Sequence, residues 1–165
     1  MRKTEEFAET FRDLETRSDE DIAAAILDAQ SIGLTAVRQS VPELTSAAHA
    51  AATRLRENPA GRLIYGGAGT SARLGVQDGV ELVPTFGWPH ARLAYLVAGG
   101  PGALTQTAEG AEDDFDQAGR DAAAIEVGAA DVCVMLSASG VTPYALAACT
   151  AARNAGAVTI GIANN

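Results

Sequence analysis

Between residues 61 and 163, short apolar runs alternate with helix-spaced segments, and two of the joints are turns built from glycine and hydroxyl residues. The first, Gly66-Gly67-Ala68-Gly69-Thr70-Ser71-Ala72-Arg73-Leu74-Gly75, follows Leu63-Ile64-Tyr65. The second, Ser137-Ala138-Ser139-Gly140-Val141-Thr142-Pro143, follows Val132-Cys133-Val134-Met135-Leu136. A strand that turns directly into a helix leaves unpaired backbone N–H groups at the positive end of the helix dipole, where an anion binds well. The alternation itself predicts an α/β fold with a doubly wound parallel sheet, whose ligands sit at the carboxyl ends of the strands. Two such turns in one domain therefore point to a phosphorylated small molecule.

Strands are expected at 62–65, 91–97, 131–136 and 157–163, with 131–136 central because it is apolar throughout. Helices are expected at 70–80, 116–126 and 143–154, the last with proline in its first turn and Ala155-Gly156 as its stop. Ahead of them, Ser18-Asp19-Glu20-Asp21 marks a helix start, and Gly33 permits a break before 34–37. Pro42-Glu43 starts a helix running to about Arg56. Residues 1–18 read as a charged N-terminal segment, frayed or docked on a partner, and 19–165 as the domain that carries both turns together with the N-terminal helices. The chain halts straight after a strand, where a covering helix is usual, so a truncated C-terminus is expected.

Net charge is −9 over 165 residues, which argues against non-specific nucleic-acid binding and leaves anion recognition to local geometry. No apolar run reaches membrane-spanning length, and the first fifteen residues hold no secretory signal, so the expectation is a cytoplasmic protein without membrane partners. Cys133 and Cys149 read as buried free thiols, and His49 and His90 as structural, so no metal and no other cofactor is expected.

In the second turn Ser137, Ser139 and Thr142 can surround one anion, with Gly140 allowing close approach. In the first, Gly69 lets backbone approach a ligand, and Thr70 and Ser71 bring hydroxyls to a helix start. Each turn taken alone also suits an ordinary capped connection, and three hydroxyls within six residues exceed what one cap needs. Arg73 suits either a bound anion or a structural ion pair. Glu81, flanked by apolar residues and Pro84, suits a helix-end surface position or a desolvated general acid. Glu109-Gly110-Ala111-Glu112-Asp113-Asp114 on its own reads as a solvated acidic patch before a helix. Trp88 suits packing or a pocket wall.

These blocks, in order, closely resemble the N-acetylmuramic acid 6-phosphate etherases of the sugar isomerase (SIS) domain superfamily. The resemblance is carried by Gly61–Tyr65, Gly67–Ser71, Arg73-Leu74-Gly75, Pro84-Thr85-Phe86-Gly87, Ala98-Gly99-Gly100, Glu109–Asp113 and Ser139–Tyr144, and spans about residue 14 to the end. It implies a phosphosugar site on a parallel sheet of about five strands, commonly in a homodimer. It also implies a lyase that cleaves the D-lactyl ether of N-acetylmuramic acid 6-phosphate in cell-wall recycling, releasing N-acetylglucosamine 6-phosphate and D-lactate without a cofactor. By motif matching, Glu81 falls on the family's acid and Glu112 on its base. Ser71, Ser139 and Thr142 fall on phosphate contacts, and Ser137 on a serine that SIS domains generally use for phosphate. The chain departs from the motif at Ala72, where the family has glycine, at Val141, where arginine is common, and around Glu81. The resemblance also implies a C-terminal region beyond residue 165. A non-catalytic phosphosugar-binding regulatory module and a phosphosugar isomerase are the alternative readings.

Overall fold

The computed structural model describes residues 8–164, and the chain divides after His49 into two compact units. In the first unit, two 3-10 turns, Glu9–Phe11 and Leu14–Thr16, precede helix α1 (Asp19–Gln39). The part of the charged segment at 1–7 lies outside the described residues. Ser18 caps α1 by accepting the Asp21 N–H, and three acids occupy its first turn, opposite the positive end of the dipole. The helix runs unbroken through Gly33, because a single glycine costs only about 1 kcal/mol and every backbone bond around it is kept. α1 buries none of its residues within the chain, and Ile26, Leu27, Ile32, Leu34 and Val37 are exposed.

Helix α2 (Val41–Glu57) crosses the division and leads into the second unit, which holds β1 (Leu63–Gly67), α3 (Gly69–Phe86), β2 (Leu93–Val97), α4 (Phe115–Ala124), β3 (Val132–Leu136), α5 (Pro143–Asn154) and β4 (Val158–Ile162). All four strands are parallel, in the order β2-β1-β3-β4. The resemblance implies about five strands; the described residues hold these four. β1 and β3 are the inner strands, in agreement with the apolar run at 131–136. The chain leaves β1 toward β2 on one side and leaves β3 toward β4 on the other. The winding therefore reverses between β1 and β3, and right-handed crossovers place α3 on one face and α4 with α5 on the other.

Side-chain alternation along the strands matches these two layers. Ile64, Leu96, Cys133 and Met135 pack with Ala118 and Ala122 of α4 and with Tyr144, Ala147, Ala148 and Ala152 of α5. The alanines let both helices lie close to the sheet. Tyr65 and Tyr95 face α3, which meets them at Gly75 and Gly79. Ala72 is buried with Val97 and Ala103, so the methyl that replaces the family's glycine fills the core.

α3 is longer than its sequence signals indicate. It passes through Pro84 and ends at Gly87, which takes the left-handed conformation with φ 65°. The missing proline N–H costs one bond near the end of the helix, and the amides of Gly87 and Trp88 still close on the Val83 and Leu82 carbonyls. α4 stops at Ala124, two residues early, where Glu126 turns to φ 52°.

Arginines tie the loops to the sheet. Arg62 donates to the Ile125 and Glu126 carbonyls and pairs with Asp131 at 2.7 Å. Arg92 donates to the Gly61, Leu55 and Asn58 carbonyls, and its guanidinium stacks 4.7 Å above the Trp88 ring, so Trp88 serves packing. Arg54 bonds the Ala129 and Gly156 carbonyls. Of the two thiols, Cys133 is buried and Cys149 only half-buried; burial pushes the Cys133 thiol up to about 12.

Asp131 is buried at 4% exposure and accepts from the amides of Gly128 and Arg62 as well as from the Arg62 side chain. Burial alone would raise its pKa, but the Arg62 guanidinium and the two amides outweigh that effect and hold the carboxyl below its usual range. A depressed folded pKa gives stability that is full above the unfolded value, about 3.9, and is lost as pH falls through the folded value. Asp131→Ala, which strands the Gly128 and Arg62 amides but leaves the partly exposed Arg62 guanidinium its two carbonyls, is expected to cost about 1–3 kcal/mol in urea denaturation at pH 7. The difference from the parent should shrink in acid below pH 4; a pH-independent difference would contradict the assignment.

Candidate functional site at the sheet's switch point

In an open α/β sheet, the reversal of winding opens a crevice at the carboxyl ends of the two strands that flank it. Here those strands are β1 and β3, and each ends in one of the two glycine- and hydroxyl-rich turns. Gly67 pairs with Leu136 across the sheet. A Cβ at Gly67 would stand 2.5 Å from the Leu136 carbonyl oxygen, so only glycine lets the two strand ends close up here. The turns are neighbours for that reason.

The first turn enters α3 without a capping side chain, since the N-cap position is Ala68. The amides of Gly69, Thr70 and Ser71 are the orphan donors of an 18-residue helix, which is the arrangement that attracts an anion. Thr70 is exposed and Ser71 half-buried.

The second turn is internally bonded. Ser137, 8% exposed, has its Oγ 2.8 Å from Thr142 Oγ1 and accepts the Gly140 N–H at 3.0 Å. Ser139 Oγ lies 3.5 Å from Ser137 Oγ and accepts the Val141 N–H. Gly140 takes φ 73°, the left-handed region that turns its neighbours' amides toward one side. Thr142 precedes α5 without capping it, and Pro143 fills the first helical position. Ser137 thus organises the turn from inside, while Ser139, Gly140 and Thr142 form its outer rim.

A cavity of about 230 Å³ opens beside the first turn. Its lining includes Gly69, Thr70, Arg73, Thr107, Glu109 and Glu112. Glu112 sits in a 3-10 turn, Ala111–Asp113, entered through Gly110 in the left-handed conformation. The structure thus brings Gly69, Thr70, Arg73 and Glu112 to one cavity. Ser71, Ser137, Ser139, Gly140 and Thr142 lie outside its lining, on the turns described above. Glu81 is also outside it, exposed on α3 eleven residues beyond Thr70. That separation is about 16 Å of helical rise, with a rotation that returns Glu81 to nearly the same face as Thr70.

Thr107 lines the cavity without any distinctive sequence signal, and Glu109 does so from the acidic block 109–114, where residue pattern assigns it no role of its own. The three-residue spacing of Glu109 and Glu112 is the one hint that both carboxylates face the same opening. Arg73 donates to the Ala103 carbonyl through Nε at 3.2 Å and Nη2 at 2.9 Å, and to the Gln106 carbonyl at 3.3 Å. Among the described residues, no group of three or more His, Cys, Asp or Glu side chains is placed to hold a metal ion. A larger open groove of about 570 Å³ lies wholly within residues 8–32, lined in part by Phe11, Arg17 and Asp28, and is formed without either turn.

Residues 43–153 match the model of the glucokinase regulatory protein N-terminal SIS domain. The chain belongs to this SIS-domain family. An N-acetylmuramic acid 6-phosphate etherase from Deinococcus radiodurans is 46% identical over 164 residues, covering 99% of this chain and 53% of the relative. Etherases of the same name from Enterobacter sp. (strain 638) and Yersinia pestis (strain Pestoides F) are 42% and 48% identical over 93% and 79% of this chain, and over 51% and 43% of their own lengths. The chain spans about half the length of the curated relatives it matches. A solved Salmonella typhimurium LT2 chain described as a phosphosugar isomerase is 22% identical, with a TM-score of 0.43 over 71% of this chain and 29% of that one, too loose a likeness to add to the fold described above.

Ser137→Ala removes the partner that fixes Thr142 and one acceptor of the Gly140 amide. It is expected to lower stability by about 1 kcal/mol in urea denaturation and to weaken inorganic phosphate binding in calorimetry. Unchanged stability with unchanged affinity would contradict an organising role for this hydroxyl.

Proposed function

We propose that this SIS domain binds a phosphorylated amino sugar at the switch point and cleaves the D-lactyl ether of N-acetylmuramic acid 6-phosphate. The observation that carries the reading is the shared cavity of the uncapped first turn and Glu112. The phosphate takes the amides of Gly69–Ser71 and the hydroxyls of Thr70, Ser71, Ser139 and Thr142, with Gly140 allowing close approach. The sugar ring opens, and Glu112 removes the proton on the carbon beside the aldehyde. The electron pair forms the double bond as the neighbouring carbon loses its ether oxygen, which departs protonated as D-lactate. Water then adds across the double bond to give N-acetylglucosamine 6-phosphate.

The leaving oxygen needs a proton, and Glu81 supplies it in this reading. That role comes from the resemblance alone: Glu81 lies on nearly the same face of α3 as Thr70 but about 16 Å along it, so a sugar with its phosphate on the first turn reaches it only if the site rearranges. The names of the relatives support the reaction. The exposed apolar side chains of α1 support a homodimer, since a monomer rarely leaves so many on one helix. No described helix is long and apolar enough to cross a membrane, and we place the reaction in the cytoplasm, in peptidoglycan recycling and amino-sugar metabolism.

One observation favours a second reading: the matching family model is that of a regulatory protein's domain. On that reading the domain binds the phosphosugar without turning it over. D-lactate release from N-acetylmuramic acid 6-phosphate separates the two. The etherase reading expects release by the parent and a loss of about 10²–10⁴-fold in Glu112→Ala, with phosphosugar affinity kept within a few-fold. Binding without any release by the parent would favour the regulatory module.

A further inference from the structure

Arg73 is placed where an anion-binding arginine would be expected, one helical turn beyond Thr70 on the cavity wall. Its guanidinium is turned instead to backbone. Nε and Nη2 converge on the Ala103 carbonyl, and Nη2 also reaches the Gln106 carbonyl. Those two carbonyls belong to the loop that leaves β2 through Gly99 and Gly100, both in the left-handed conformation with φ 80° and 72°. The loop forms a 3-10 turn at Pro101–Leu104, buries Ala103 against Ala72 and Val97, and runs on to Glu109 and Glu112. Residues 105–110 are all exposed between two apolar anchors, the buried Ala103 with half-buried Leu104 on one side and half-buried Ala111 on the main core on the other, so little apolar packing fixes the stretch between them.

We propose that Arg73 is a positioning residue, which locks the Glu109–Glu112 segment to the first turn of α3 and so sets the distance between the bound phosphate and the carboxylates. A planar fork with fixed donor directions suits this task, because it holds two carbonyls at once and leaves the loop no freedom to slide. Misplacing a reacting group by about 1 Å costs on the order of 10²-fold in rate, so a loop held by few apolar contacts gains from such a lock. The turnover part of this inference rests on the etherase reading; the structural part does not.

The test compares the parent with Arg73→Gln and Arg73→Lys in three measurements: calorimetry with inorganic phosphate, amide hydrogen exchange, and D-lactate release. For Arg73→Gln, phosphate affinity should stay within about threefold, because the anion is held by amides and hydroxyls. Amides of residues 103–113 should exchange at least about tenfold faster, while those of α5 stay unchanged. kcat should fall about 10–100-fold with little change in KM. Arg73→Lys, which keeps the charge and can reach one carbonyl, should recover part of the exchange protection and part of kcat. A loss of phosphate affinity beyond tenfold with the loop still protected would make Arg73 an anion ligand and overturn the proposal. Unchanged exchange at 103–113 would overturn it as well. Should Arg73→Gln fail to fold, Arg73→Lys decides alone: a looser loop with phosphate affinity retained supports the proposal, and a protected loop with weakened phosphate binding refutes it. A parent that releases no D-lactate sinks the etherase reading, and the exchange and phosphate measurements still decide the role of Arg73.

Discussion

The parallel pairing of β1 with β3 is the contact on which the candidate site depends. The two strands lie far apart in the chain, and their turns meet only because Gly67 comes level with Leu136 at the ends of the strands. A side chain at Gly67 would collide with the Leu136 carbonyl oxygen and push the strand ends apart. The reversal of winding at this pair then leaves the crevice uncovered, since the crossover helices depart to opposite faces. Position and openness of the site thus have one origin.

Charge shapes how this site recognises its ligand. The chain carries 21 acidic residues against 12 basic ones, and the arginines nearest the sheet are committed to structure. Arg54, Arg62, Arg73 and Arg92 each donate to backbone carbonyls at loop or strand ends, and Arg62 also neutralises the buried Asp131. Carbonyls at such ends lack strand or helix partners, and a guanidinium satisfies several at once. With those cations spent, the proposed phosphate would rest on orphan amides and hydroxyls. Such a site selects by geometry, which suits one phosphate among many anions.

Much of this fold is legible in the sequence, because the strands are short apolar runs and the joints are punctuated by glycine, proline and hydroxyl residues. α5 begins at Pro143 and ends before Ala155-Gly156, where local chemistry alone would place it. α3 shows the limit. The helix expected at 70–80 stops short of Pro84, yet Gly75 and Gly79 pack against Tyr65 and Tyr95 and tertiary contact carries the helix on to Phe86. At the site, the two turns are legible from composition, but the neighbours that complete the cavity are not. Thr107 and Glu109 reach it through the path of a loop that Arg73 holds, and neither a carbonyl acceptor nor a loop path leaves a mark in residue identity. The inward role of Ser137 is hidden for the same reason: its spacing matches that of Ser139 and Thr142, and only burial separates an organiser from a rim hydroxyl.

The proposed function rests on one phosphate held jointly by the amides of the first turn and the hydroxyls of the second at the switch point. Backbone amide NMR of the parent chain, titrated with N-acetylglucosamine 6-phosphate and with the dephosphorylated sugar, tests it most directly. If one phosphate bridges the turns, the amides of Gly69, Thr70 and Ser71 shift together with those of Ser139, Gly140 and Val141, at one affinity, and only with the phosphorylated sugar. Shifts confined to one turn, or equal shifts with the dephosphorylated sugar, would contradict it.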